Sequence, residues 1–272
     1  MKISVILRGG LGNQLFQASA GQYFARKHGV KAFLEDSVIL RHQDPSRRSW
    51  IRNFDLDGLF GTNNLRMRNR LYCEIKSRVR FIESSEKPFT QLELENLDEM
   101  KRSIRVYDWF HSKKFLPAEK IQLNENLLRN LNARTKDISQ HIATSPKIGA
   151  IHIRLGDFKA TSWGVLPQAW YLNALRQLHE LGVEYLDCYS DDIQEAKLLV
   201  EPISSLFHIR FPELESKLNP HELLWILANY KFYVSSNSSL SWWASYFNIH
   251  NEPRILSPWR KELHLTSWRA LA

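Results

Sequence analysis

Three polar clusters each follow a short apolar run in the second half of the sequence: HIRLGDF at 152–158, SDD at 190–192 and SSNSSLSWWASYF at 235–247. Arg154 offers a planar fork that matches two phosphate oxygens and stays charged at any relevant pH, so it could neutralise a diphosphate leaving group. Asn237, Ser238 and Ser239 suit a helix N-cap and first turn, where hydroxyls and N–H groups could bind the same phosphates. In the stretch Ser190, Asp191, Asp192, either aspartate could accept from a ribose hydroxyl or a guanine N–H. Each cluster also has a plain packing explanation: Arg154 paired to Asp157, an ordinary capping series at 235–239, Asp191 capping the helix it precedes. Convergence favours a site, because ligands of open parallel sheets bind beyond the carboxyl ends of the strands.

A fourth stretch, RGGLGNQLFQ at 8–17, looks like a phosphate loop and fails both standard fingerprints. It has no Gly-Lys-Ser/Thr ending, and Gly9, Gly10 and Gly12 do not make Gly-x-Gly-x-x-Gly. What remains is a tight turn that lets backbone approach a ligand, with Asn13 and Gln14 as amide donors and acceptors. Asp55-Leu56-Asp57 imitates a metal-binding Asp-x-Asp, but no further ligand surrounds it in sequence, and hard cations need several oxygens held together. His42, His111, His141, His208, His221, His250 and His264 are scattered singly and read as packing or surface residues.

The elements that would position these residues alternate. Lys2 to Leu7 reads as a strand, the segment ending at Gly29 as a helix, and Lys31 to Glu35 as a second strand. A basic helix is expected near Asn64 to Ser77, and a long helix from Ile121 to Ile142 that stops at the Ser145-Pro146 break. Beyond it the pattern predicts strands at Ile148–Ile153, Tyr185–Tyr189, Phe207–Ile209, Phe232–Ser235 and Ile255–Leu256. Helices Pro167–Leu181, Ile193–Val200, Pro220–Ala228 and Ser238–Tyr246 separate them. The 272 residues suffice for two domains of roughly 130 residues each. The break therefore divides the chain into 1–145 and 146–272.

The net charge of +8 and pI of about 9.4 suit nucleic acid, anionic lipid or phosphorylated small molecules, and charge alone does not choose among them. Much of the excess runs through Arg47, Arg48, Arg52, Arg66, Arg68, Arg70, Lys76, Arg78 and Arg80, which reads first as a solvated helix face and second as a membrane- or acceptor-facing patch. Cys73 and Cys188 carry no metal-ligand spacing and read as reduced thiols. No stretch of about 18 apolar residues occurs, so a cytoplasmic protein, at most peripheral to the inner membrane, is expected.

Taken in order, RGGLGNQLFQASAG, HIRLGDF, YSDD and SSNSSLSWWASYF followed by ILSPWRKE resemble the α-1,2-fucosyltransferases of glycosyltransferase family 11, over nearly the whole chain except about 38–145. The resemblance implies a GT-B fold, two Rossmann-like domains with a cleft between them, the first on the acceptor side and the second binding GDP-β-L-fucose. It also implies inversion at the anomeric carbon, no required metal, and a galactose-terminated oligosaccharide, free or lipid-diphosphate-linked, as acceptor. By that analogy Arg154 holds the diphosphate, His152 and Asp191 or Asp192 lie at the nucleoside, Ser238 and Ser239 meet the β-phosphate, and Gly10, Gly12 and Asn13 approach from the first domain. Where the family has a second arginine, this chain has Leu155. Adjacent strand residues point to opposite faces, so the contact of Arg154 is expected to survive. Asp157 is the first candidate for the base that takes the acceptor's proton, with Asp36 and Glu35 as others. Two rivals stand beside this reading: a GDP-fucose transferase forming another linkage, and a non-catalytic nucleotide-sugar or nucleic-acid binding protein, although no nucleic-acid partner is expected.

Overall fold

Short β-branched runs alternating with helices fold here into two parallel sheets. The computed structural model describes residues 2–41, 48–61, 64–78, 104–117, 121–162, 164–212, 218–259 and 269–270. The chain divides into two units, Met1–Asn130 and Leu131–Ala272, each built as a doubly wound, Rossmann-like α/β layer, as expected for a GT-B protein.

In the first unit, β1 (Lys2–Ile6) pairs in parallel with β2 (Lys31–Glu35) and β4 (Ile104–Val106), and β2 with β3 (Leu65–Met67), in the order β3-β2-β1-β4. The crossover helix α1 (Leu11–His28) ends at Gly29 in the left-handed region, φ 61°, which returns the chain to the sheet edge. The strand order reverses between β1 and β4, so their carboxyl ends, residues 7–13 and 107–111, form the switch point of this unit. Two short helices follow β2, α2 (Leu56–Phe60) and α3 (Arg70–Arg78). The helix expected at 64–77 thus begins later, after the three residues of β3. Arg47 and Arg80 of the basic run lie outside the described residues.

The second unit carries β5 (Ile148–Ile153), β6 (Tyr185–Ser190), β7 (His208–Arg210), β8 (Phe232–Val234), β9 (Arg254–Ser257) and β10 (Arg269–Ala270), in the order β10-β9-β8-β5-β6-β7 and parallel throughout. Every residue of β5 is buried, as a central parallel strand covered on both faces requires. Between the strands lie α5 (Gln168–Glu180), α6 (Ile193–Val200), α7 (Pro220–Ala228) and α8 (Ser239–Tyr246). Here the order reverses between β5 and β8, which puts the ends carrying Arg154 and Ser235–Ser239 side by side.

The helix expected over 121–142 is α4 (Ala133–Ala143) alone. Asparagines dismantle its first half. Asn124 and Asn132 accept backbone N–H groups as caps, and Asn130 takes φ 63°. Leu128 then bridges antiparallel to Phe54, inside the first unit. The Ser145-Pro146 break lies within the second unit, because Glu222 ties α4 to α7. One Glu222 carboxylate oxygen accepts from the Asn219 N–H and side-chain amide at 2.9 Å each; the other accepts from the Asn132 N–H and the Thr135 hydroxyl at 3.3 Å each. Glu222→Ala leaves the buried Thr135 hydroxyl and three part-buried N–H donors without their acceptor and is expected to cost about 2–3 kcal/mol. The check is a Tm lower by about 5–10 °C. Among the described residues no helix is long and apolar enough to cross a membrane.

Candidate active site

At the end of β5 the chain turns through Arg154, Leu155 and Gly156 into a 3₁₀ turn at Asp157–Ala160. The neighbouring strand end supplies the anchor. Asp191 follows β6, whose Ser190 is in register with Ile153. Its carboxylate accepts the Leu155 N–H at 2.9 Å and faces an Arg154 Nη at 3.2 Å. The other Arg154 Nη donates to Asp157 at 2.8 Å, and the guanidinium lies 5.6 Å from the Phe158 ring. Arg154 is thus held from two sides while 29% of its side chain stays exposed. Its pairing with Asp157 is present as the packing explanation anticipated, yet it leaves the fork accessible.

The two aspartates separate cleanly. Asp192, not Asp191, caps α6, accepting the Glu195 N–H at 3.1 Å, and its own N–H donates to Ser190 Oγ at 3.1 Å. Asp191 is left to the arginine loop. Leu155 is fully buried in the apolar cluster with Leu175, Leu178 and Leu186, so this position belongs to the core while Arg154 alone reaches the strand end.

From β8 the chain enters α8 through a serine turn. Ser238 is the N-cap, its Oγ accepting the Ser241 N–H at 3.1 Å, and Ser239 opens the helix. Asn237 donates to the Gly164 carbonyl at 2.9 Å. His152 Nδ1 lies 2.5 Å from Ser241 Oγ, which also meets the Tyr233 hydroxyl at 2.8 Å and the Ser236 N–H at 3.2 Å. Burial, with Arg154 nearby, pushes the His152 pKa down to about 3, so the ring is neutral at physiological pH. Ser236, Ser241 and Tyr233 were not singled out in the sequence; Ser241 and His152 stand 89 residues apart, and no local pattern links them. Arg154, Asp157, Ser190, Asp191, Asp192, His152, Asn237, Ser238 and Ser239 thus gather at the ends of three neighbouring strands.

In the first unit the glycine loop closes β1 onto α1. Gly9 has φ 71°, and a methyl group there would lie 2.5 Å from the Asn13 amide nitrogen. Gly10 is the N-cap position of α1 and Gly12 is buried in its first turn. Asn13 Oδ1 lies 3.0 Å from His111 Nε2. Burial pushes the His111 pKa down to about 4, Asp108 opposing and Arg8 reinforcing the shift. His111 therefore belongs with the loop and was passed over as a scattered residue. The Arg8 guanidinium stacks on Trp109 at 3.6 Å. Gln14, expected to face a ligand, is instead fully buried: its amide donates to the Gly9 and Arg48 carbonyls and accepts the Ile51 N–H.

Two carboxylates proposed as bases are already engaged. Glu35 accepts from Arg105 at 2.6 Å and from Ser37, and Asp36 is gripped by Arg52 at 2.7 and 3.0 Å. Burial alone would raise the Asp36 pKa, but the hydrogen bonds and charge of Arg52 outweigh it and leave it below the ordinary value. Asp55 and Asp57 line a cavity of about 290 Å³ with Arg52, Arg66 and Arg129, whose charge opposes a cation. No cluster of three or more metal-ligating side chains occurs among the described residues.

No protein-family model matches the chain. An alpha-1,2-colitosyltransferase of Escherichia coli is 24% identical over 290 residues, covering 96% of this chain and 93% of the relative. The O-antigen biosynthesis glycosyltransferase WbnK of Escherichia coli is 24% identical over 303 residues, covering 96% and 98%. Among solved structures, the fucosyltransferase NodZ from Bradyrhizobium superposes with a TM-score of 0.55 at 14% identity, over 90% of this chain and 92% of that one. NodZ alpha-1,6-fucosyltransferase soaked with GDP-fucose gives 0.59 at 14% identity, over 93% of each chain. POFUT1 in complex with GDP gives 0.51 at 13% identity, over 94% and 97%. These structural likenesses establish a shared GT-B fold.

Proposed function

We propose that the chain is an inverting, metal-independent glycosyltransferase that moves L-fucose from GDP-β-L-fucose to the 2-hydroxyl of a terminal β-galactose. The observation that carries this reading is the arginine held open at the switch point of the second unit, beside the capped N-terminus of α8. It has the charge and geometry to receive a departing diphosphate. The similarity over nearly full length to two glycosyltransferases, and the fold shared with fucosyltransferases solved with GDP or GDP-fucose, support it.

In this mechanism the acceptor hydroxyl attacks C1 of fucose from the face opposite GDP, through an oxocarbenium-like state. The C1–O bond to the β-phosphate breaks, and its electron pair leaves with GDP. Arg154, the α8 N–H groups and the Ser238 and Ser239 hydroxyls stabilise the growing charge, the task a metal performs in other transferases. Asp191 orients the arginine, and Asp191 or Asp192, with Ser190, is assigned to the nucleoside. Asp157, half-exposed and beside Arg154, is the carboxylate offered to the acceptor's proton, since Glu35 and Asp36 are committed to Arg105 and Arg52. For Gly10, Gly12 and Asn13 a donor contact is what the resemblance implies.

The test is GDP release from GDP-fucose with and without lactose. Acceptor-stimulated release that is unchanged by EDTA is the expected result; release abolished by EDTA and restored by a divalent cation would overturn the metal-independent step. A second reading has its own support in the colitosyltransferase similarity: the same linkage made with colitose as the sugar moved. Turnover of GDP-colitose in preference to GDP-fucose would select it.

Peripheral contact with an anionic membrane carrying a lipid-linked acceptor belongs to the same reading. On α3, Leu71 and Ile75 are 64% and 54% exposed beside Arg70. Binding to phosphatidylserine vesicles that weakens as salt rises is expected; no binding at low salt counts against it.

A further inference from the structure

The polar chain behind His152 has a direction that can be counted out proton by proton. Ser241 Oγ has four neighbours: the Ser236 N–H at 3.2 Å, the Tyr233 hydroxyl at 2.8 Å, Ser236 Oγ at 3.0 Å and His152 Nδ1 at 2.5 Å. The Ser236 N–H can only donate. Tyr233 is fully buried, and Ser241 Oγ is its only hydrogen-bond partner among the described residues, so its proton goes there too. Both acceptor sites of Ser241 are then filled, so the Ser236 hydroxyl, which faces both Ser241 Oγ and Ser238 Oγ, gives its single proton to Ser238. The Ser241 proton goes to the nearest acceptor left, His152 Nδ1, which the Ser236 hydroxyl also faces at the longer distance of 3.4 Å.

The same count continues to Ser238. Ser238 Oγ accepts the Ser241 N–H at 3.1 Å and the Ser236 hydroxyl at 3.2 Å, which leaves its proton unspent among the described residues. Two residues that keep a sliver of exposure, His152 at 3% and Ser238 at 6%, therefore each have a donor left over. A donor pair beside Arg154 suits an anion and rejects a cation.

We propose that Tyr233 and Ser241 are positioning residues that lock His152 as the uncharged Nε2–H tautomer, so that it and Ser238 offer donors to the diphosphate of the nucleotide sugar, in place of the nucleoside contact that the resemblance implies for His152. The identity of that ligand rests on the function proposed above; the tautomer does not. The depressed basicity of the buried ring agrees with an uncharged donor.

Uniformly folded full-length chain carrying ¹⁵N-histidine decides it. The long-range ¹⁵N–¹H spectrum at neutral pH, with the His152 ring assigned by its loss in His152→Asn, should show Nδ1 unprotonated and Nε2 protonated. Tyr233→Phe removes one buried hydroxyl at constant shape and frees an acceptor site on Ser241; Ser241→Ala removes the donor to Nδ1. Both should turn the single tautomer into a mixture and weaken GDP binding about tenfold, while the other histidine signals stay in place. An Nδ1–H or doubly protonated ring in the unmodified chain overturns the lock. So do spectra and GDP affinities unchanged in both variants, and Tyr233→Phe carries the test should Ser241→Ala not fold. Failure of the unmodified chain to bind GDP would sink the functional reading, with the tautomer still decided by the spectrum.

Discussion

Arg154→Ala is expected to lower turnover by about 10²–10³-fold while leaving the protein folded. The magnitude follows from removing one preorganised group aimed at charge that develops in the transition state, about 3–4 kcal/mol. In the proposed mechanism the β-phosphate gains charge as the bond to fucose breaks, so kcat and kcat/KM should fall together, with KM for the donor changing less. Stability should change little: the ion pairs to Asp157 and Asp191 are partly exposed, and pairs of that kind contribute at most about 1 kcal/mol. Arg154→Lys separates charge from geometry. It keeps the cation and loses the two-pronged fork, and an activity between alanine and wild type is expected. GDP-release kinetics with a circular-dichroism melt measure both sides. Turnover within about threefold of wild type in the alanine variant would move the leaving-group role away from this residue.

Much of the second unit is legible in the sequence because its signals are local. The runs at 148–153, 185–189 and 232–235 are short, apolar and bounded by polar clusters, and the structure places strands on all three. The strand-end rule then leads to Arg154 and the serine turn without any knowledge of strand order. Over residues 121–142 the apolar spacing points to one long helix, but the stretch also holds four asparagines, and the caps formed by Asn124 and Asn132 with the left-handed turn at Asn130 stop a helix that the leucines would otherwise extend. Gln14 shows a different limit. Its type suits a ligand contact and equally suits three backbone partners, two of them more than thirty residues away, and sequence cannot weigh one against the other. The pairing of His152 with Ser241, and of Asn13 with His111, is set by strand order and helix docking, which no periodicity reports.

Gly156→Ala tests whether the loop geometry, and not merely the presence of Arg154, supports turnover; a loss of about 10²-fold is expected. A methyl group at 156 would lie 2.4 Å from Asp191 Oδ2 and 3.3 Å from its Cγ. A flexible carboxylate could normally swing away at little cost, but this one is held by the Leu155 N–H at 2.9 Å and by Arg154 at 3.2 Å. Moving it by even an ångström breaks both contacts and lets the guanidinium follow Asp157 instead. Displacements of that size at a charge-stabilising group cost about two orders of magnitude in rate, because the alignment with the leaving phosphate is lost while binding of the rest of the donor persists. The core beneath is untouched, since Leu155 stays in its apolar cluster, so the melting temperature should drop by no more than about 2–4 °C. Asp191→Asn is the companion variant: it keeps a side-chain oxygen for the Leu155 N–H but removes the charge facing Arg154, and a smaller loss, about tenfold, is expected. If Gly156→Ala turned over normally, the loop would have room that this geometry denies it, and Asp191 would lose its role as the anchor of Arg154.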